Sequence, residues 1–232
     1  ATEEESADWV KEAVDQGVNY FDVAPSYGNA EVMLGPALEP YRKEIILACK
    51  TQQRKGEGAR RELERSLELL RTDYFDVYQL HAMTTIDDVE QAFAPDGVMD
   101  VILKAQEEGI IHHIGFSTHS EKISLELCRR FDFASILYPM NWVMGMNTGS
   151  GNKVAKIAQD KNIGLLAMKT LAQRMYRDNE QEVFPKSWCK TNFPNDEEDD
   201  RLGLLGMKYG FYKGADTLVP PGDIWHFRFM LQ

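Results

Sequence analysis

The stretch GVNYFDVAPSYGNAEVMLG, Gly17 to Gly35, decides the fold. Gly17 ends a helical run in which Trp9, Val10, Ala13 and Val14 share one face, with Ser6 as the expected N-cap. Val18 to Asp22 then reads as a strand. An open doubly wound sheet announces its nucleotide site with a glycine-rich turn after the first strand. The segment that follows here, APSYGNAE, is no such turn. The stretch therefore points to the other way of arranging parallel strands and helices, a closed β/α barrel.

The pattern continues outward in the same rhythm. Strands are expected at Glu44–Lys50, Tyr74–Leu80, Ile111–Phe116, Ala134–Tyr138, Ile163–Met168 and Thr217–Val219. Between them lie helical runs: one carrying Leu63, Leu67 and Leu70, then Met99–Glu108, Ile123–Arg130, Val154–Asp160 and Arg201–Tyr209. The strands are apolar on both faces, as a parallel sheet covered on both sides requires. This gives roughly seven strands where a complete (β/α)8 TIM barrel has eight. Gln173 to Asp200 is the one long irregular stretch, and a connection of that length is usually functional or mobile. Its acidic end, Asp196 to Asp200, suits a helix start. TGSGN, Thr148 to Asn152, reads as a loop and helix start rather than a phosphate nest.

Composition narrows the function classes. A net charge of -11 disfavours a nucleic-acid partner, because phosphate backbones would be repelled. Cys49, Cys128 and Cys189 are far apart and form no C-x-x-C pair, which argues against a disulfide framework, a zinc site or an iron–sulfur site. No apolar run is long enough to span a bilayer, so no membrane partner is expected. Ala1 to Asp8 is acidic and reads as the approach to a helix rather than a secretory signal, and a reducing, cytoplasmic location is expected.

In a barrel of this kind the active site is built at the C-terminal ends of the strands. The first visible strand ends in Asp22 and is followed by Tyr27, the second ends in Lys50, and the third leads into His81. A tyrosine titrates near about 10, too high for efficient proton transfer at neutrality. A neighbouring ammonium such as Lys50 favours the phenolate, and Asp22 can hold that ammonium charged in a poorly solvated place. His81 can donate to a carbonyl oxygen. Each residue also has a plainer reading: Asp22 as a turn residue, Lys50 as a strand end reaching solvent, Tyr27 as turn packing before Gly28, His81 as a structural histidine. Spacing alone leaves both readings open.

Gly17 to Gly35 resembles the aldo-keto reductase signature F-D-x-A-x-x-Y-G-x-x-E-x-x-L-G. IILACKT, YFDVYQLH, HIGFSTHS and LLAMKTL are similar to that family's successive strand ends, in the family's order. The resemblance implies a reductase of aldehydes or ketones, a small-molecule carbonyl substrate, and Asp22, Tyr27, Lys50 and His81 as catalytic residues. It implies NADP as cofactor, with NAD as the alternative. Ser117 and Thr118 would lie near the nicotinamide carboxamide with Asn141 close by. Met168 would stand under the ring, where the family often has an aromatic. Lys169, Thr170 and Leu171 would meet the pyrophosphate, and Pro221 and Gly222, with Asp223, the adenine ribose phosphate. Ser117, Thr118 and Ser120 can equally be read as caps of the next helix. The family's N-terminal hairpin and first strand would precede Ala1, so residues 1–232 are expected to form one domain truncated relative to the family. Substrate choice is expected to reside in Met83 to Asp96 and Gln173 to Asp200. Oligomeric state is not legible.

Two rival readings share the scaffold. A non-catalytic NADP-binding sensor or regulatory subunit would keep the fold without turnover. A metal-dependent hydrolase would draw on His112, His113 and His119, but adjacent strand residues point to opposite faces, so no metal is expected.

Overall fold

Helix α1, Glu3–Asp15, opens on a reciprocal cap. The Thr2 hydroxyl accepts from the Glu5 backbone N–H at 3.1 Å, and the Glu5 carboxylate accepts from the Thr2 N–H at 2.9 Å. Ser6 is therefore not the cap. Thr2-x-x-Glu5 satisfies two orphan donors at once, and Ser6 falls one turn inside, buried on the face of Val10 and Ala13.

The structure, a computed structural model, describes residues 2–180, 182, 184, 189–192 and 197–232. They divide into two compact units, one ending at Ser117 and the other beginning at Thr118. The first unit continues after α1 through β1 (Tyr20–Asp22), α2 (Ala30–Leu38), β2 (Ile46–Thr51), α3 (Gly56–Leu69), β3 (Phe75–Leu80), α4 (Ile86–Ala92), α5 (Val98–Glu107) and β4 (Ile111–Ser117). Expected strand positions hold to within a few residues. Helices α2 and α4 are too short and too lightly patterned to be read from periodicity, and α4 lies within the stretch read as a specificity loop.

The four strands run parallel in the order β1-β2-β3-β4. Asp22 lies opposite Ala48, Lys50 opposite Gln79, and Gln79 opposite Gly115. Side chains alternate along a strand, and parallel partners share a face. Tyr20, Asp22, Ala48, Lys50, Gln79 and Ser117 therefore line one side, while Leu47, Cys49, Tyr78, Leu80, Ile114 and Phe116 line the other. The second set is almost entirely buried, each large apolar member contributing about 1.5–3 kcal/mol relative to exposure.

Gly35 sets how closely α2 approaches the next layer. A Cβ placed there would lie 2.1 Å from the Leu69 carbonyl oxygen and 3.0 Å from the Leu70 Cα, both backbone atoms with little freedom to retreat. Gly35→Ala is expected to destabilise the protein by about 1–3 kcal/mol. Urea denaturation checks this; an unchanged midpoint would mean that α2 can slide without loss.

The second unit comprises α6 (Glu121–Arg130), β5 (Ser135–Pro139), α7 (Trp142–Thr148), α8 (Asn152–Lys161), β6 (Gly164–Met168), β7 (Ala172–Met175), β8 (Cys189–Thr191), α9 (Glu197–Tyr212), β9 (Thr217–Val219) and α10 (Ile224–Met230). β5, β6 and β9 are parallel neighbours in that order. Within Gln173–Asp200, read as irregular, β7 and β8 form an antiparallel pair with a bulge between Ala172 and Arg174. Asp196 of the acidic run lies outside the described residues, and α9 starts at Glu197. This helix runs longer than expected, past glycines that disfavour helix. Close packing explains them: a Cβ on Gly203 would meet the Asn192 carbonyl at 2.6 Å, and one on Gly206 the Thr170 carbonyl at 2.5 Å. No helix among the described residues is long and apolar enough to cross a membrane.

Candidate active site

Strand register brings Asp22 and Lys50 to one face, and the turns after β1 and β3 add Tyr27 and His81. Lys50, fully buried on β2, donates from Nζ to Asp22 Oδ1 at the end of β1 and lies 3.4 Å from the Val23 carbonyl oxygen. An ammonium in such a place stays charged only through a partner of this kind. Burial pushes the Asp22 carboxyl up, opposed by the Lys50 ammonium. Tyr27 follows in the turn and is 46% exposed, so its ring is open to a ligand. Lys50 Nζ sits 4.9 Å from the centroid of the Tyr27 ring. The His81 imidazole stands edge-on to the same ring, centroids 5.7 Å apart at 89°. Asp22, Tyr27, Lys50 and His81 thus form one cluster.

On this face Asp22 Oδ2 is buried without a protein partner, beside the Tyr20 hydroxyl and the Gln79 amide, which interact with each other. Native interiors seldom leave such an atom unmet, and Asp22 Oδ2 marks a place that water or a ligand completes.

The backbone that carries His81 is held from both sides. Its N–H donates to the Thr51 carbonyl at 2.8 Å. The Ala82 N–H donates to Ser117 Oγ, and the Met83 N–H to the Ser117 carbonyl, each at 2.9 Å. Ala82 itself has φ +51°, a conformation that a β-carbon resists. Ser117, expected at a cofactor, therefore accepts with its hydroxyl oxygen and keeps its proton to donate.

In the second unit, Thr118 is buried, and its hydroxyl accepts from the Ser120 N–H at 3.0 Å. Ser120 caps α6 through the Ile123 N–H, so the capping reading holds for that residue. Asn141 caps α7 by accepting from the Met144 N–H at 3.1 Å. Its amide donates to the carbonyls of Lys169 and Ala172, which fastens the loop after β6. Met168 ends β6 half-buried; Thr170 and Leu171 are buried, and Thr170 Oγ1 has no protein partner. Lys169, at φ +63°, brings Nζ to 2.5 Å from His119 Nε2. Burial lowers the pKa of both, and the lysine's charge lowers that of His119 further. The lowered pKa of His119 leaves its ring neutral and able to accept from the Lys169 ammonium. Pro221 and Gly222 precede α10, whose first turn Asp223 caps by accepting from the Trp225 N–H at 2.9 Å. Among the described residues no group of three or more His, Cys, Asp or Glu side chains could hold a metal ion.

Residues 1–204 match the model of the Aldo/keto reductase family. The chain belongs to that family. Among relatives of this aldo/keto reductase, the uncharacterized oxidoreductase YqkF of Bacillus subtilis (strain 168) is 28% identical over 184 residues, covering 70% of this chain. The chain spans 58% of that protein's length. Among solved structures, the apo form of an aldo-keto reductase from Bacillus halodurans aligns over 100% of this chain and 81% of its own, at 21% identity and a TM-score of 0.71. An aldo-keto reductase from Klebsiella pneumoniae in complex with NADPH aligns over 71% of this chain and 57% of its own, at 22% identity and a TM-score of 0.59. At these identities the likeness is one of fold, and the fold is the incomplete (β/α)8 barrel with seven parallel strands among the described residues.

Two features of this aldo/keto reductase escaped the reading of its sequence. Lys169 and His119 are fifty positions apart, and no local pattern couples them. Arg54 and Asp88 flank the His81 turn; the spacing Thr85-x-x-Asp88 is a legible capping box, whereas Arg54 has no local signal.

Proposed function

We propose that this aldo/keto reductase transfers a hydride between NAD(P)H and an aldehyde or ketone, with Tyr27 as the general acid. The observation that carries this reading is the buried Lys50 ammonium, paired with Asp22 and 4.9 Å from the Tyr27 ring. When bound, the reduced nicotinamide supplies the hydride. The residues of the chain handle the oxygen and the proton. Tyr27 donates its phenolic proton to the carbonyl oxygen as that oxygen gains negative charge. Lys50 stabilises the phenolate left behind, and Asp22 keeps Lys50 charged. His81 donates to the same oxygen and orients it.

The residues available suit such a cofactor. Lys169, whose ammonium meets the His119 ring nitrogen, offers a basic group to a pyrophosphate. Thr170 has a buried hydroxyl awaiting a partner. Ser117 retains a proton for a carboxamide oxygen. Thr118, Asn141, Met168 and Leu171 would shape the ring and pyrophosphate regions, and Pro221 and Gly222 the adenine end. NADP is the proposed cofactor and NAD the alternative; the NADPH complex of the Klebsiella relative supports the former. The substrate proposed is a small carbonyl compound, with a cytoplasmic location and no nucleic-acid or membrane partner.

The test follows the loss of reduced-nicotinamide absorbance with NADPH and NADH separately, against a panel of aldehydes and ketones. Saturable oxidation with at least one carbonyl compound is the expected result. Tight cofactor binding by fluorescence titration without oxidation across the panel would instead identify a non-catalytic sensor. Absence of binding to either cofactor would end both readings.

A further inference from the structure

Arg54 occupies the loop after β2 with only 13% of its side chain exposed. Its Nε donates to Asp88 Oδ1 at 2.9 Å. One terminal nitrogen reaches the Gln52 carbonyl at 3.0 Å, and the other reaches the His81 carbonyl at 2.9 Å and the Ala82 carbonyl at 3.3 Å. A planar fork with donors in fixed directions can bridge three carbonyls and a carboxylate at once; an ammonium cannot. The guanidinium is thus fully engaged within the protein and is not a ligand-binding cation.

Asp88 is equally committed. Its second oxygen accepts from the Thr84 and Thr85 N–H groups at 3.1 and 2.8 Å and from their hydroxyls at 3.0 and 2.8 Å. Burial alone would raise its pKa, but these hydrogen bonds, together with the guanidinium, outweigh burial and hold the carboxyl well below the usual carboxylate range. One carboxylate therefore joins the start of α4 to Arg54, and Arg54 joins both to the two carbonyls of the His81–Ala82 turn. On the opposite side Ser117 fixes the N–H groups of Ala82 and Met83. A turn with φ +51° at a residue carrying a β-carbon stays in place only when its surroundings hold it.

We propose that Arg54, held by Asp88, is a positioning residue that sets the orientation of the His81 imidazole at the reacting oxygen. The inference rests on the function proposed above for His81. It adds that the loop Met83 to Asp96 and the imidazole are one mechanical unit, so changes in that loop act on catalysis through Arg54.

The test uses the full chain carrying Arg54→Ala, with Asp88→Asn as a second variant should the first fail to fold. Three measurements are made: kcat and KM with NADPH and the best carbonyl substrate of the panel, the same with added guanidinium ion, and the ring resonances of His81 by NMR. In Arg54→Ala, kcat is expected to fall by up to about 100-fold with the cofactor KM unchanged. Guanidinium should restore part of kcat saturably in this variant, not in wild type. The His81 resonances should shift or broaden and return with guanidinium. A folded variant with wild-type kcat and unmoved His81 resonances would overturn the proposal, as would a loss that guanidinium leaves untouched. If wild type shows no turnover, the functional reading fails, and the His81 resonances still decide whether Arg54 positions the ring. Asp88→Asn should show the same shift with a smaller loss.

Discussion

Tyr27→Phe is expected to lower kcat by roughly 10²- to 10⁴-fold, the range that a positioned general acid contributes, and to leave NADPH affinity unchanged. The substitution removes one oxygen. Phenylalanine keeps the ring over which Lys50 sits and the edge contact with His81. At 46% exposure the hydroxyl adds little to packing, so stability should change by no more than about 0.5 kcal/mol. Steady-state kinetics, fluorescence titration with NADPH and thermal melting separate the three quantities. Near-wild-type turnover in a folded variant would remove Tyr27 from the chemistry; lost cofactor affinity would assign it a binding role instead.

Lys50→Met should cost both activity and stability. The ammonium is fully buried, and Asp22 is 8% exposed. Removing one member of such a pair strands the other, typically at about 3–5 kcal/mol. Asp22 can reduce that cost by taking up a proton, since burial already pushes its carboxyl up and the opposing charge is gone. The sign of the pH dependence follows. A carboxyl with a raised folded-state pKa binds a proton that the unfolded chain releases above its ordinary value of about 3.9. Stability therefore falls as pH rises through the raised pKa. The deficit of Lys50→Met relative to wild type should be small in acid and largest at neutral and alkaline pH. Lys50→Met combined with Asp22→Asn should regain much of the stability and none of the turnover. Urea titrations at several pH values, with kinetics beside them, check all three statements. A deficit independent of pH, with no recovery in the double variant, would show that the two residues do not form an energetic pair.

The fold was legible where periodicity was strong and local. β2 and β3 are dense in apolar residues and end near where the sequence reading ends them, because a strand buried on both sides leaves no choice of composition. α2, α4, α7 and α10 are short, and one or two turns carry too little pattern to separate helix from loop. The pairing of β7 with β8 depends on residues well apart in sequence. The cap is Thr2 rather than Ser6, four residues earlier, before apolar periodicity begins and so outside the reach of that signal. At the site, Asp22, Lys50 and His81 were legible because strand ends converge in a β/α fold whatever the loops do. The Tyr27 position rests on a motif. Arg54 was invisible: its partners Asp88 and His81 are 34 and 27 positions away, and an arginine in a polar loop looks like any solvated charge.

The most direct measurement is the fate of deuterium in a single turnover. NADPH carrying deuterium at the transferred position is mixed with the protein and a carbonyl substrate, and the alcohol product is analysed by mass spectrometry. The account predicts one deuterium on the carbinol carbon with wild-type protein, and product formation suppressed in Tyr27→Phe. An alcohol formed without deuterium at that carbon, or cofactor that binds and is never oxidised, would contradict it.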